Sequence, residues 1–386
     1  MRTAVVGLLL SLLSACVGRH RLDDVVRDYD EALSRTEAEM LLLNIARARH
    51  GKPFHFTTVA GIAATFDFAA NTGFGAEIAE NPGTSLLLPS FGVSVSENPT
   101  INIVPVRGEE FTRRLLRPLD ESTLGFFIHQ GADPALLLRL LAEAVVVEES
   151  VDGSAETRRR IIPNDSSSDS EFDRFIVRVA EIDRAGQLDI GPLVFDQRFA
   201  IDGTEPLPAP DLVALLDQGY RIEDREIEVG DRERYLVRRV VGRSILSDQD
   251  PLNWSDAERA SLQESAQRYP GYFVLAVLGD SRVGATVRPE RAWIKLRSLA
   301  GVLDAVAAQV PETGFDPGPR VPLAIRRSDS VPDGALFSVD YEGAYFSLVD
   351  RPSSGDSVAF RVLERLLQMS MTEIDGEAVP PVTITK

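Results

Sequence analysis

Thr57-Thr-Val-Ala-Gly-Ile-Ala-Ala-Thr-Phe-Asp-Phe68 and Phe91-Gly-Val-Ser-Val-Ser-Glu-Asn-Pro-Thr-Ile-Asn-Ile-Val-Pro-Val106 break with everything before them. Both runs are rich in Thr, Val, Ile, Phe and small residues and partly alternate, which is the composition and period of β-strands. Between them, Asn71 to Pro89 is rich in Gly, Asn and Pro. The two runs therefore predict a long hairpin with a loose tip.

Upstream the pattern is helical. Val25, Tyr29 and Leu33 recur at i, i+4, i+8, and Ser34 with Glu37 reads as a capping box, so Arg21 to Arg49 is expected as two helices stopped by Gly51 and Pro53. Downstream, short helices are expected at Glu109–Leu116 and Glu121–Gln130. Asp133-Pro134 supplies an N-cap and an N1 proline for a further helix, Ala135 to Val147. Glu148 to Asp173 is polar and Ser/Asp-rich and reads as a boundary.

The second half mixes types. Helical spacing at Phe172, Phe175, Ile176, Val179 and Ile182 precedes hairpins at 221–241 and 336–349. Helices are expected from Ser255, Ser298 and Ser357, with strands at Tyr272–Leu278 and Val382–Thr385. Strands and helices are grouped without a regular βαβ beat, which predicts an α+β fold. The expected order is a leader at 1–15, an N-terminal helix and hairpin domain at 16–150, a polar linker at 151–171, and a mixed α+β domain at 172–386.

Composition sets further bounds. The chain has 386 residues, 44% hydrophobic and 26% charged, which is enough apolar material for a real core and excludes wholesale disorder. A net charge of −18 leaves no electrostatic footprint for nucleic acid. Three of the 41 basic residues are lysines (Lys52, Lys295, Lys386); the rest are arginines.

Met1-Arg2 followed by the short apolar run Ala4 to Leu13 reads as an export signal, too short to span a bilayer. It ends Leu13-Ser14-Ala15-Cys16, which resembles the lipobox of bacterial lipoproteins. That resemblance implies cleavage before Cys16, diacylglycerol on its thiol and acylation of the new amino group. Several acyl chains anchor stably where one is marginal. Cys16 is the only cysteine, so the chain has no internal disulfide and packing alone must hold it. Val17 follows where an Asp would favour inner-membrane retention, so the expected location is the outer membrane, facing the periplasm.

Further segments resemble a family of uncharacterised proteobacterial lipoproteins: Leu41 to Phe54, Asn98-Pro99-Thr100-Ile101 with Gly108 to Pro118, Gln130 to Asp133, Arg297 to Leu303, and Phe337 to Phe346. The family brings no catalytic residues with it, and residues 150 to 290 match it poorly.

Catalytic motifs are sparse. Of the four histidines, His20, His50, His55 and His129, the pair His50-x4-His55 without cysteines is a weak start for a zinc site that needs three or four ligands, and these two bracket a helix end where they can cap carbonyls. Gly279-Asp280-Ser281 after an apolar strand resembles the nucleophile strand of GDS-type esterases. Every histidine lies upstream of Ser281, however, and Arg282 replaces the usual Leu, so a polar turn is the simpler reading. No G-x-S-x-G or P-loop occurs. Asp165 to Asp173 lacks the central Gly and terminal Glu of a calcium loop. Arg158-Arg159-Arg160 reads as a solvated linker or, more sharply, as a contact for anionic lipid or glycan.

No catalytic residue, cofactor or metal site is assigned. The sequence predicts a structural or assembly protein, held at the membrane by lipid on Cys16 and bound to an envelope protein or to copies of itself. A second expectation is an envelope hydrolase acting on glycan or ester substrates, and a third is a binder of small hydrophobic envelope molecules.

Overall fold

The computed structural model describes residues 2–78, 85–150, 157–164, 170–201, 208–228, 231–279, 290–311, 323–350, 355–371 and 382–385. Within these, side chains are described over 26–59, 103–148, 158–164, 170–201, 208–224, 233–279, 291–311, 323–350 and 355–371.

The chain opens with α1 (Arg2–Arg49), then β1 (Phe56–Ile78) and β2 (Ser85–Val106). Three short helices follow, α2 (Glu109–Leu116), α3 (Glu121–His129) and α4 (Pro134–Leu141), the last running straight into β3 (Ala142–Ser150). Next come β4 (Thr157–Pro163), α5 (Glu171–Arg184), β5 (Asp189–Ile201), α6 (Ala209–Asp217), β6 (Tyr220–Glu228) and β7 (Asp231–Ser247). Helix α7 (Asp256–Gln267), β8 (Phe273–Leu278), β9 (Glu290–Leu296) and α8 (Leu299–Ala308) precede a group formed by β10 (Ile325–Ser328), β11 (Ala335–Tyr341), β12 (Ala344–Val349) and α9 (Asp356–Met371). Strand β13 (Val382–Thr385) is the last element. The fold class is α+β, as the grouping of elements predicts.

Two units divide this chain, and they are not the expected ones. The first holds Met1–Met40, Pro53–Thr112 and Met369–Lys386; the second holds Leu41–Lys52 and Arg113–Gln368. The stretch expected as a linker at 151–171 contains β4, which pairs with β3 from Ala144↔Pro163 to Ser150↔Thr157. A boundary there would split one sheet.

In the first unit β1 and β2 form an antiparallel ladder from Phe56↔Val106 to Ile78↔Ser85, with a bulge between Val59 and Gly61. The expected tip, Asn71 to Pro89, is mostly ladder: Asn71 pairs with Gly92, and the strands continue to Ile78 and from Ser85. At about 3.3 Å per residue these strands of 23 and 22 residues reach about 70 Å. Strand β13 returns to lie antiparallel on β2, Val382↔Ile103 to Thr385↔Thr100, giving the order β1-β2-β13. At the hairpin base Phe56 is buried, stacked on Phe54 at 6.3 Å and edge-on to Phe111 at 5.8 Å. The Thr57 N–H and hydroxyl both donate to the Met40 sulfur, at 3.3 and 3.1 Å.

Helix α1 is one element, with no break at Ser34. Two residues on from the expected cap, the Thr36 hydroxyl donates to the Ala32 carbonyl at 2.8 Å within the continuous helix. Leu41, Leu42, Ile45 and Ala46 near its end are fully buried.

The second unit is built on a seven-stranded sheet, ordered β4-β3-β9-β8-β7-β5, with β6 also on β7. Strand β7 is long enough to carry β5 along Arg234–Ser247 while it takes β6 over Asp231–Arg238 and β8 in parallel over Ile245–Ser247. Val146, Leu193, Ile245, Leu275 and Trp293 form one core with Leu262 and Ala266 of α7. Ile294 and Val274, of opposite parity, are equally buried, so the central strands are covered on both faces. The expected helix Ala135 to Val147 stops at Leu141. Ala142 is extended (φ −79°, ψ 135°), and the β-branched run Val145-Val146-Val147 joins the sheet.

A second sheet, β10-β12-β11, packs Phe337 on Phe360 of α9 at 5.6 Å. The β11–β12 turn places Glu342 at φ 52° and Gly343 at φ 80°, a two-residue connection of the left-handed type.

Candidate functional site

The sequence-predicted residues do not converge. Cys16 and His20 fall in the part of α1 whose side chains lie outside the description. His50 and His129 do the same thing: each Nδ1 meets the carbonyl four residues earlier, Ala46 at 2.8 Å and Gly125 at 2.7 Å, at the end of a helix. His50 also packs edge-on against Tyr341 and Phe346, with its Nε2 3.9 Å from Glu342. His55 is exposed in the first unit. Among the described residues no three His, Cys, Asp or Glu gather as a metal cluster.

Gly279 directly follows β8 and its N–H donates to Asp248 Oδ2 at 2.5 Å; Asp280 and Ser281 lie outside the described residues. Of the acidic loop, residues 165–169 also lie outside. Its described end is structural: Ser170 caps α5 by accepting from the Asp173 N–H, and the buried Asp173 pairs with Arg139 at 2.6 Å. Arg158 to Arg160 are not linker. They sit in β4 opposite Glu149, Glu148 and Val147, the Arg159 guanidinium lies 5.8 Å over the Tyr269 ring, and Arg160 pairs with Glu171.

That last pair borders a cleft of about 310 Å³ between α5 and the sheet. Val145, Val147, Ile162 and Phe175 supply apolar walls. Arg174 and Arg178, one turn apart on α5, line it too; Arg174 is 3.8 Å from Glu171 and Arg178 donates to the Leu278 carbonyl at 3.0 Å. Sequence reading missed this cleft, although Arg174 and Arg178 at i, i+4 carried a signal for it. Among the described residues that line it, Glu171 is the carboxylate.

The other feature that calls for a function is an edge. Strand β1 is the outer strand of its sheet, and β2 is covered by β13 only at Thr100–Ile103. Among the described residues, β1 along its outer side and β2 over Ser85–Pro99 therefore pair with nothing further. Such rows of N–H and C=O groups template pairing with another chain, and proteins usually blunt them with short strands or lysines. Here the strands are among the longest in the chain, and their 45 residues hold three ionisable ones, Asp67, Glu77 and Glu97, and no Lys or Arg. Pro89 and Pro99 are the only conventional edge device along the uncovered part of β2.

No family model, no curated protein and no solved structure matches this chain.

Proposed function

We propose that this protein is a lipid-anchored component of the outer membrane, facing the periplasm, that builds or braces an envelope assembly rather than turning over a substrate. The observation that carries the proposal is the pair of long hairpin edges, poor in charge, that no further strand covers among the described residues. Lipid on Cys16 holds the body at the bilayer, and the edges recruit strands of a partner or of other copies by β-augmentation. The segment resemblance to proteobacterial lipoproteins supports the same reading.

Two measurements test it. Mass spectrometry of the mature protein is expected to find Cys16 at the amino terminus bearing acyl chains, and Cys16→Ala is expected to leave the protein in the soluble envelope fraction. Crosslinking in the native envelope is expected to trap hairpin residues against another chain. A free, unacylated Cys16 thiol removes the anchor from the account. A screen of esters and glycans that finds turnover, lost on a single carboxylate or serine substitution, replaces assembly with hydrolysis.

A further inference from the structure

We infer that copies of this chain set their hairpins side by side and close an antiparallel β-barrel across the bilayer, one face of each hairpin on lipid and the other on a lumen. The inference rests on the assembly reading above and names the partner as the chain itself.

Three observations carry it. The first is the face pattern. Beyond the bulge the ladder register puts Phe68, Phe74 and Ile78 on one face with Val95, Val93 and Phe91, and between Phe68↔Val95 and Ile78↔Ser85 that face holds no ionisable residue. The other face carries Ala69, Asn71, Gly73, Gly75 and Glu77 with Ser94, Gly92 and Ser90, and Leu88 and Leu86 beside the tip. Apolar and polar residues alternating with period two are the mark of strands with lipid on one side and water on the other.

The second is length. On that first face the stretch without an ionisable residue runs from Phe68 to Ile78, 11 residues along β1, with Glu77 on the opposite face, and Glu97 opposite Phe66 closes its inner end. A tilted strand needs about 9–11 residues to cross the hydrocarbon core. Among the described residues no helix is long and apolar enough to cross a membrane. The length of that face matches what a tilted strand needs.

The third is the edges. A sheet in hydrocarbon must leave no open edge, since each unpaired backbone group there costs several kcal/mol. The edges of β1 and of β2 over Ser85–Pro99 flank the same band, and joining β1 of one copy to β2 of the next continues the antiparallel order around a ring. Strand β13 covers β2 only at Thr100–Ile103, below the band, and keeps the alternation: Val382 and Ile384 pair with Ile103 and Ile101, Thr383 and Thr385 with Asn102 and Thr100. Pro89 and Pro99 each withhold one N–H from the ladders and leave the rest. With two strands per copy, about eight copies reach the 16 strands at which a barrel holds an aqueous channel.

The test uses the full-length, acylated protein reconstituted into phosphatidylethanolamine/phosphatidylglycerol vesicles. Single cysteines at neighbouring positions (Asn71→Cys, Thr72→Cys, Val93→Cys, Ser94→Cys) are probed with a membrane-impermeant maleimide, and planar-bilayer conductance is recorded. Asn71→Cys and Ser94→Cys are expected to label, Thr72→Cys and Val93→Cys to be protected, and discrete conductance steps to appear. Val93→Arg is expected to abolish conductance, and Ser94→Arg to keep it while shifting ion preference toward anions. Equal labelling at all four positions, or acylated protein without conductance, overturns the barrel. If those vesicles still hold hairpin-crosslinked multimers, the assembly reading survives. Labelling of the unsubstituted protein, at Cys16, shows instead that the anchor itself is wrong.

Discussion

Arg243 shows how one side chain can hold several elements of the second unit. Its Nε and Nη2 bond the Glu121 carboxylate at 3.0 and 3.1 Å, Nη1 donates to the Ala266 and Tyr269 carbonyls, and Nη2 also reaches that of Phe273. A fork of fixed donors spans α3, the end of α7 and the start of β8, which an ammonium cannot do. Arg243→Leu is expected to destabilise the fold by about 3 kcal/mol in urea titration, since it leaves Glu121 and three carbonyls without their donor, and Arg243→Lys to recover little of it. Asp120 gives a pH signature. Burial raises its pKa, but the Thr123 N–H and hydroxyl, the Ser122 hydroxyl and the charge of Arg117 outweigh burial and hold it below the ordinary 3.8. A depressed carboxyl stabilises the folded chain above 3.8, and that contribution disappears as pH falls through the lowered value. The urea midpoint of the wild type should therefore exceed that of Asp120→Asn at neutral pH, and the gap should close below about pH 4. A gap independent of pH would show that the carboxyl's charge is not what matters.

At the scale of elements, the helix caps were the most legible signals. Ser255 and Glu258 form both bonds of the capping box, with the Ser255 N–H donating to Glu258 at 2.8 Å and the Glu258 N–H to the Ser255 hydroxyl at 3.3 Å. Ser255→Ala is expected to cost about 1 kcal/mol in thermal or urea unfolding. Ser298 caps α8, where a helix was expected to start, and Ser170, read only as part of the polar stretch, caps α5. The hairpin strands were legible too, because Thr57–Phe68 and Phe91–Val106 carry β composition outright. What hid from the sequence has physical causes. Ala135 to Val147 is apolar apart from Arg139 and Glu143, because most of α4 and β3 is buried, and near-continuous burial blurs the period that separates helix from strand. Strand β4 looked like linker because it is an edge strand with Arg158, Arg159 and Arg160 in a row, and an edge strand can keep polar residues while its backbone pairs with β3.

For the whole molecule, no local pattern could reveal that β13 returns to β2, because a four-residue strand is specified by its distant partner and not by its own sequence. The same long-range closure makes the units discontinuous in sequence: segments from both ends and the hairpin form one, and the middle of the chain forms the other. A continuous domain reading, with a cut at the polar stretch, could not find that division. It also frames the central claim, that the hairpin exists to meet other chains. Light scattering on the acylated, full-length protein extracted from its native envelope in mild detergent tests it most directly, alongside a variant in which residues 66–97 are replaced by Asn-Gly so that Thr65 and Asn98, already paired, flank a tight turn. The account predicts a mass of several chains for the wild type and of one chain for the shortened variant. A wild type at the mass of a single chain, or a shortened variant that assembles as the wild type does, would contradict it.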